Sequence, residues 1–170
     1  MDRHAFVEEM ERRYGSDEAI GVRLRLDDSA EVITPAEYDR RYAALPRGAR
    51  PGSESLLPTG GSAVCCTEYA CLIFKQLPGR VQIFGFANEN NPTSRVAREE
   101  IHPGGHDFAV VDDRFIVDPW LRLVAGVSEQ IVFDLADPGD ASLAADVYGP
   151  RQCWERLTGA EAYAQKLRAA

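Results

Sequence analysis

Residues 102–120 read HPGGHDFAVVDDRFIVDPW. Two runs, His106–Val111 and Phe115–Asp118, are rich in β-branched and aromatic residues and flank Asp112-Asp113, which predicts a β-hairpin. His106 opens the first strand directly after Gly104-Gly105, and Asp118 ends the second directly before Pro119, so both stand at the same end of the hairpin. Successive side chains of a strand point to opposite faces. If the loop has an odd number of residues, Val110 lies opposite Ile116 and Phe108 opposite Asp118, and His106 is diagonal to Asp118 on one face. A two-residue turn at Asp112-Asp113 would put Phe108 opposite Val117 and separate the two polar residues. Loop parity therefore decides whether this imidazole and this carboxylate can meet. Asp107 faces away from His106, and Asp112 and Asp113 read as turn formers.

Before the hairpin, residues 63–77 carry helical periodicity and stop at Pro78-Gly79. Arg80–Phe86 (RVQIFGF) predicts a strand, followed by a polar loop, Ala87–Ser94. After the hairpin, Gln130–Leu135 predicts a further strand. Thr158 and Glu161 have capping-box spacing, which predicts a last helix over 159–168. At the N-terminus, Phe6, Val7, Met10 and Tyr14 share one helical face. Val22, Leu24 and Leu26 alternate with charged residues as in a strand, and Thr34-Pro35 begins a helix near 35–44. The whole chain reads as one domain over 1–170: an accessory segment (1–45), an exposed Pro/Gly/Ser-rich loop (46–61), a catalytic core (62–135) and a C-terminal helical segment (136–170). A helix followed by several strands is an α+β pattern.

Cysteine supplies the nucleophile candidates. Helix 63–77 starts just after Gly60-Gly61, and the positive end of a helix dipole favours a thiolate. Stepping along one helical face from Cys66 gives Ala70, Ile73 and Leu77, all apolar. The same steps from Cys65 give Tyr69 and Leu72 but then Gln76, so Cys66 is the expected nucleophile and Cys65 the alternative. Cys71 and Cys153 read as packing residues. His106 is the expected base and Asp118 the group that orients it. His102 is the rival base. Pro103-Gly104-Gly105 breaks any helix that would pair it with His106, so it reads as a loop residue with a possible place beside the substrate.

Composition narrows the class. The chain has 170 residues, 45% of them hydrophobic, and a formal charge of −8. That charge argues against nucleic acid as a partner, since nothing would neutralise a run of phosphates. No stretch approaches the roughly 20 apolar residues of a membrane-spanning helix, and the N-terminus has no apolar run of a secretory signal. Three of the four cysteines crowd into residues 65–71, a poor disulfide framework, so a reducing, cytoplasmic setting is expected, with export by a route without a cleaved signal left open. Adjacent Cys65 and Cys66 lack the spacer of a zinc-binding pair, and neither a metal nor an organic cofactor is expected.

Cys-(x)3-Ala on a helix ending in Leu-Pro-Gly, then His-x-Phe-x-Val, then Phe-Ile-Val-Asp-Pro, resembles the papain-like and transglutaminase-like superfamily of cysteine hydrolases. The intervals, 40 residues from Cys66 to His106 and 12 from His106 to Asp118, are most similar to the protein-glutamine deamidase branch and to the papain-fold domains of bacterial toxins and effectors. Tyr69 matches the aromatic that these families place three residues after the nucleophile. The resemblance spans residues 60–120. It implies a papain-like core, with a nucleophile-bearing helix packed on an antiparallel sheet and accessory helices at both ends.

The resemblance also implies a Cys66–His106–Asp118 triad that hydrolyses an amide of a protein or peptide through a thioester. Deamidation of a protein glutamine comes first and peptide cleavage second. Transfer to an amine, as in transglutaminases, and a non-catalytic papain-fold interaction module are the further alternatives. Two departures stand out. Papain-type enzymes carry a glutamine before the nucleophile for the oxyanion hole, where this chain has Pro-Thr-Gly-Gly-Ser-Ala; transglutaminases carry Trp directly after it, where this chain has Thr67. The hole would then use backbone N–H groups, that of Cys66 first, with Gln152 as a candidate second donor. Trp120, just past Asp118, is a candidate shield for the His–Asp pair.

Overall fold

Strand-forming runs 81–87, 105–111 and 115–117 are consecutive, the last two joined by a three-residue loop, and they build the centre of one antiparallel sheet. The computed structural model describes residues 2–16, 19, 24–25, 32–33, 40, 43–44 and 66–166. The expected helix near 35–44, the loop 46–61 and Cys65 lie wholly or largely outside these residues. Among the described residues the elements run α1 (Arg3–Tyr14), β1 (Leu24–Arg25), β2 (Val32–Ile33), α2 (Cys66–Gln76), β3 (Val81–Ala87) and α3 (Arg95–Arg98). They continue with β4 (Gly105–Val111), β5 (Phe115–Val117), α4 (Trp120–Leu123), β6 (Val132–Asp134), α5 (Pro138–Tyr148), β7 (Glu155–Arg156) and α6 (Thr158–Lys166). The protein is α+β. The main sheet has strand order β6-β5-β4-β3-β7 with every neighbouring pair antiparallel, and β1 and β2 form a separate two-stranded ladder.

Helices cover both faces of this sheet. The stripe Cys66, Ala70, Ile73 and Leu77 is buried throughout, and α2 packs by it on β4 and β3. Phe6 of α1 stacks on Phe115, 4.1 Å between ring centroids. Tyr14 reaches α2 through a 2.8 Å hydrogen bond from its hydroxyl to Gln76. On the opposite face Tyr148, the last residue of α5, packs against Phe108 and Phe133. Asp137 caps α5, accepting from the N–H groups of Gly139 and Asp140, and Pro138 stands at its first turn. The α5 helix lies within residues 136–170, read as helical without bounds for this element, and the small β7 is not anticipated.

The C-terminal helix differs from its expected form. It begins at Thr158, so Thr158 is not its cap. Glu161 is turned to the sheet instead, where its carboxylate accepts the Ile83 N–H at 3.0 Å and pairs with Arg156. A strand N–H with no ladder partner outcompetes the local capping box. No helix among the described residues is long and apolar enough to cross a membrane.

The far edge of the sheet is tied by charge. Arg114, leading into β5, makes a two-pronged contact to Asp134 of β6 at 2.8 and 2.6 Å, with the Asp134 side chain only 1% exposed. The hydrogen-bonded guanidinium holds the Asp134 carboxyl below the usual carboxylate range, against the opposing effect of burial. A carboxyl depressed by folding stabilises above its unfolded value of about 3.9, and that stabilisation is lost as pH falls through the lower folded value. Asp134→Asn is therefore expected to cost about 2 kcal/mol at neutral pH. It should also make urea-unfolding stability less steep between pH 4 and 2 than in the parent protein.

Candidate active site

β4 and β5 pair with Val110 opposite Ile116 and Val111 opposite Phe115, leaving the three residues 112–114 as the loop. This is the odd-length register. Asp112 and Asp113 both adopt left-handed backbone, φ 52° each, a conformation that Asp tolerates better than most side chains. Arg80 grips the Asp112 carboxylate at 3.0 and 2.5 Å and fixes the loop to the start of β3. At the other end of the hairpin His106 Nε2 meets Asp118 Oδ2 at 2.6 Å, with both side chains within 2% of full burial. A carboxylate only accepts, so Nε2 carries the proton of this bond, and in the neutral ring Nδ1 then presents a lone pair. His106 Nδ1 is itself buried and has no hydrogen-bond partner among the described residues.

Cys66 meets β4 at Asp107, one residue after His106, through a gap in the sheet. Alternate residues of a strand aim their N–H groups at opposite neighbours. On β4 the even-numbered positions serve the β3 side, as the Asp112 N–H to Arg80 carbonyl bond of 2.8 Å shows, and the odd-numbered ones serve the β5 side. Because β5 ends at Val117, opposite Ala109, the N–H of Asp107 points past the end of that strand. It donates to Cys66 Sγ at 3.3 Å instead. The Asp107 side chain faces α2 and accepts the Thr67 hydroxyl at 2.5 Å, which pins the first turn of the helix over the start of β4. Gly105 permits the tight approach of β3 here, since a Cβ would run into the Phe86 carbonyl.

Cys66 and His106 line one cavity of about 330 Å³, whose wall also includes Thr67, His102, Asp107 and Glu155. Trp120 is 3% exposed, with its ring 5.0 Å from that of His106 and 5.3 Å from that of His102, and it covers the buried pair from that side. Gln152 is not at the cavity. It sits exposed on the short 3-10 turn Arg151–Cys153, because Pro150 and Gly149 turn the chain away after α5. Cys65 lies outside the described residues. Burial, and next the charge of His106, hold the His102 imidazole below its ordinary pKa; the carbonyls of Pro103 and Gly105 and the Asp107 carboxylate act the other way and are outweighed.

Two contributors escaped the sequence reading. One is the Asp107 main-chain N–H, which follows only from where β5 stops. The other is Tyr148, whose hydroxyl donates to Asp118 Oδ2 at 2.9 Å. Its carbonyl is clamped by Asn91 Nδ2 at 2.7 Å and Trp154 Nε1 at 2.8 Å. Gly149 follows at φ 67°, where a Cβ would collide with the Asn91 carboxamide. The Asp137-Pro138 cap signal could have located α5, but no local pattern says that a tyrosine 30 residues away reaches Asp118.

Comparison with known protein families, characterised proteins and solved structures gives no match. Among the described residues no group of three or more His, Cys, Asp and Glu side chains is arranged to hold a metal ion.

Burial, and the facing Asp118 carboxylate, push the Tyr148 hydroxyl well above the ordinary tyrosine range. A group with a raised folded pKa stabilises below its unfolded value, about 10, and that contribution is lost as pH rises through the folded value. Tyr148→Phe keeps the ring and removes the hydroxyl. It is expected to cost about 2 kcal/mol in urea unfolding at pH 7 and to flatten the loss of stability above pH 10.

Proposed function

We propose that this protein is a cysteine amide hydrolase with a papain-like core, in which Cys66 is the nucleophile, His106 the base and Asp118 the residue that orients the base. The observation that carries the proposal is the buried 2.6 Å contact of His106 Nε2 with Asp118, which leaves Nδ1 unpaired beside the cavity that Cys66 also lines. An unpaired buried acceptor costs roughly 1–3 kcal/mol, a cost that service as a proton acceptor would account for.

In the proposed reaction the Cys66 proton passes to His106 Nδ1 and the thiolate attacks the carboxamide carbon. A C–S bond forms and the C=O π pair moves to oxygen. Collapse of this intermediate breaks the C–N bond, and the leaving nitrogen takes the proton from His106. Water then gives a proton to His106 and adds its oxygen to the thioester. The C–S bond breaks, Cys66 recovers its proton, and a carboxylic acid is released. Asp118 supports the imidazolium at both stages.

Deamidation of a protein glutamine is the proposed form of this chemistry. A cavity of about 330 Å³ suits an inserted side chain, and Asp107 and Glu155 in its wall favour an uncharged amide over an acid. The family resemblance of the Cys, His and Asp motifs points the same way.

Iodoacetamide at pH 5.5 should alkylate Cys66 well before Cys65, Cys71 and Cys153, as read by peptide mapping. Asp118→Asn should slow that alkylation, and His106→Gln should abolish the preference. Even labelling of all four thiols, or first labelling of Cys65, would remove Cys66 as nucleophile. Ammonia release without chain cleavage from glutamine-bearing proteins would distinguish deamidase from peptidase.

A further inference from the structure

Acyl transfer through a thioester builds negative charge on the former carbonyl oxygen, and an enzyme needs a preorganised donor aimed at it. Gln152, the candidate second donor, stands away from the cavity. Thr67 gives its hydroxyl proton to Asp107. His106 is committed to Asp118 at one nitrogen and serves as base at the other. Asp107 and Glu155 are acceptors when ionised. His102 remains.

We propose that His102 is the side-chain oxyanion donor of this site, giving an imidazole N–H to the carbonyl oxygen of an amide or ester bound at Cys66. The assignment rests on the thioester reading above and extends it to a further catalytic residue. Three observations support it. His102 Nδ1 is buried in the cavity wall without a hydrogen-bond partner, a state that demands a reason in a folded protein. The ring is already fixed, edge-on to Trp120 at 66° between planes, and its main chain is held where the His102 carbonyl accepts from Asn88 Nδ2 at 2.9 Å. A donor held in place before the substrate arrives loses nothing to reorganisation during reaction. Finally, burial and the nearby His106 favour the neutral ring. A neutral imidazole still carries one N–H, and it adds no second positive charge next to the imidazolium that forms on His106.

In the step concerned, Sγ bonds to the carbonyl carbon, the π pair moves onto oxygen, and His102 hydrogen-bonds that oxygen without giving up its proton. Alkylation by iodoacetamide is a displacement at a saturated carbon and builds no oxyanion, whereas acylation by p-nitrophenyl acetate does. Comparing these two probes on the full chain separates the hole from the nucleophile. His102→Phe retains a ring against Trp120 but has no donor, and His102→Gln restores an N–H.

The expected result for His102→Phe is iodoacetamide alkylation of Cys66 within about twofold of the parent rate and acylation slower by about 10²–10³-fold. His102→Gln should recover at least about tenfold of that loss. Acylation of His102→Phe at the parent rate would overturn the assignment. So would a parallel fall of both reactions, which would make His102 a support of the thiolate, or an alkylatable Cys66 that the ester never acylates. If Cys66 of the parent protein shows no preferential alkylation, the thioester reading itself fails, a result visible before any His102 variant is made.

Discussion

The hydrogen bond between His106 and Asp118 exists in only one class of hairpin. A loop of three residues pairs Val110 with Ile116 and turns His106 and Asp118 to the same face; removing one residue from the loop would turn Asp118 to the other. The loop that sets this parity is not an easy one, since it places two consecutive aspartates in left-handed backbone. It is held at both ends, by Arg80 on Asp112 and by Arg151 on Asp113 at 2.7 Å. The second pair is solvent-exposed and contributes little energy, so the register is chiefly specified by the apolar side chains that would be exposed in any other. Val110, Ile116, Val117 and Phe108 are each at most 1% exposed. Core burial and site geometry are thus one constraint: the slip that would part His106 from Asp118 would also empty the core.

The shortness of β5 is the second half of that constraint. A longer strand would have carried its ladder on to Asp107 and closed the sheet where Cys66 now sits. Instead the chain turns at Pro119 into α4, and the Asp107 N–H becomes available to the thiol. Proline lacks a donor and fixes φ, so it is suited to end the strand at that point. The same turn delivers Trp120 onto His106. Three consecutive residues, Asp118, Pro119 and Trp120, therefore orient the His106 ring, open the sheet and cover the buried pair.

Much of this was legible in local sequence because it depends on periodicity. The buried stripe of α2, the strand 81–87, the hairpin and the N-terminal helical face all follow from which residues recur at 3.6 or 2. What escaped depends on non-local partners. Glu161 has the spacing of a capping residue but is drawn to the Ile83 N–H, a preference set by an unpaired strand edge and invisible at positions 158–161. Gln152 looked like a free carboxamide near the end of the chain and lies on an exposed turn. Tyr148 could be read as a core aromatic, yet its value to Asp118 arises from the clamp of Asn91 and Trp154 on its carbonyl, three segments meeting at one atom. His102 read as a loop residue beside a turn, and only the cavity wall gives its ring a surrounding.

The two imidazoles of the cavity show how environment divides roles between identical side chains. His106 is offered a carboxylate at one nitrogen, and that carboxylate is in turn steadied by the Tyr148 hydroxyl, so a positive charge formed on His106 has its counter-charge built in. His102 has no such bond to a carboxylate, is largely buried against Trp120, and stands close enough to His106 for their charges to oppose one another. A site with both rings charged would repel itself and would offer no ring lone pair to a proton. One ring bonded to a carboxylate and one held toward its neutral form is the arrangement these surroundings give, and the proposed attack of a thiolate on an amide would use them as base and uncharged donor.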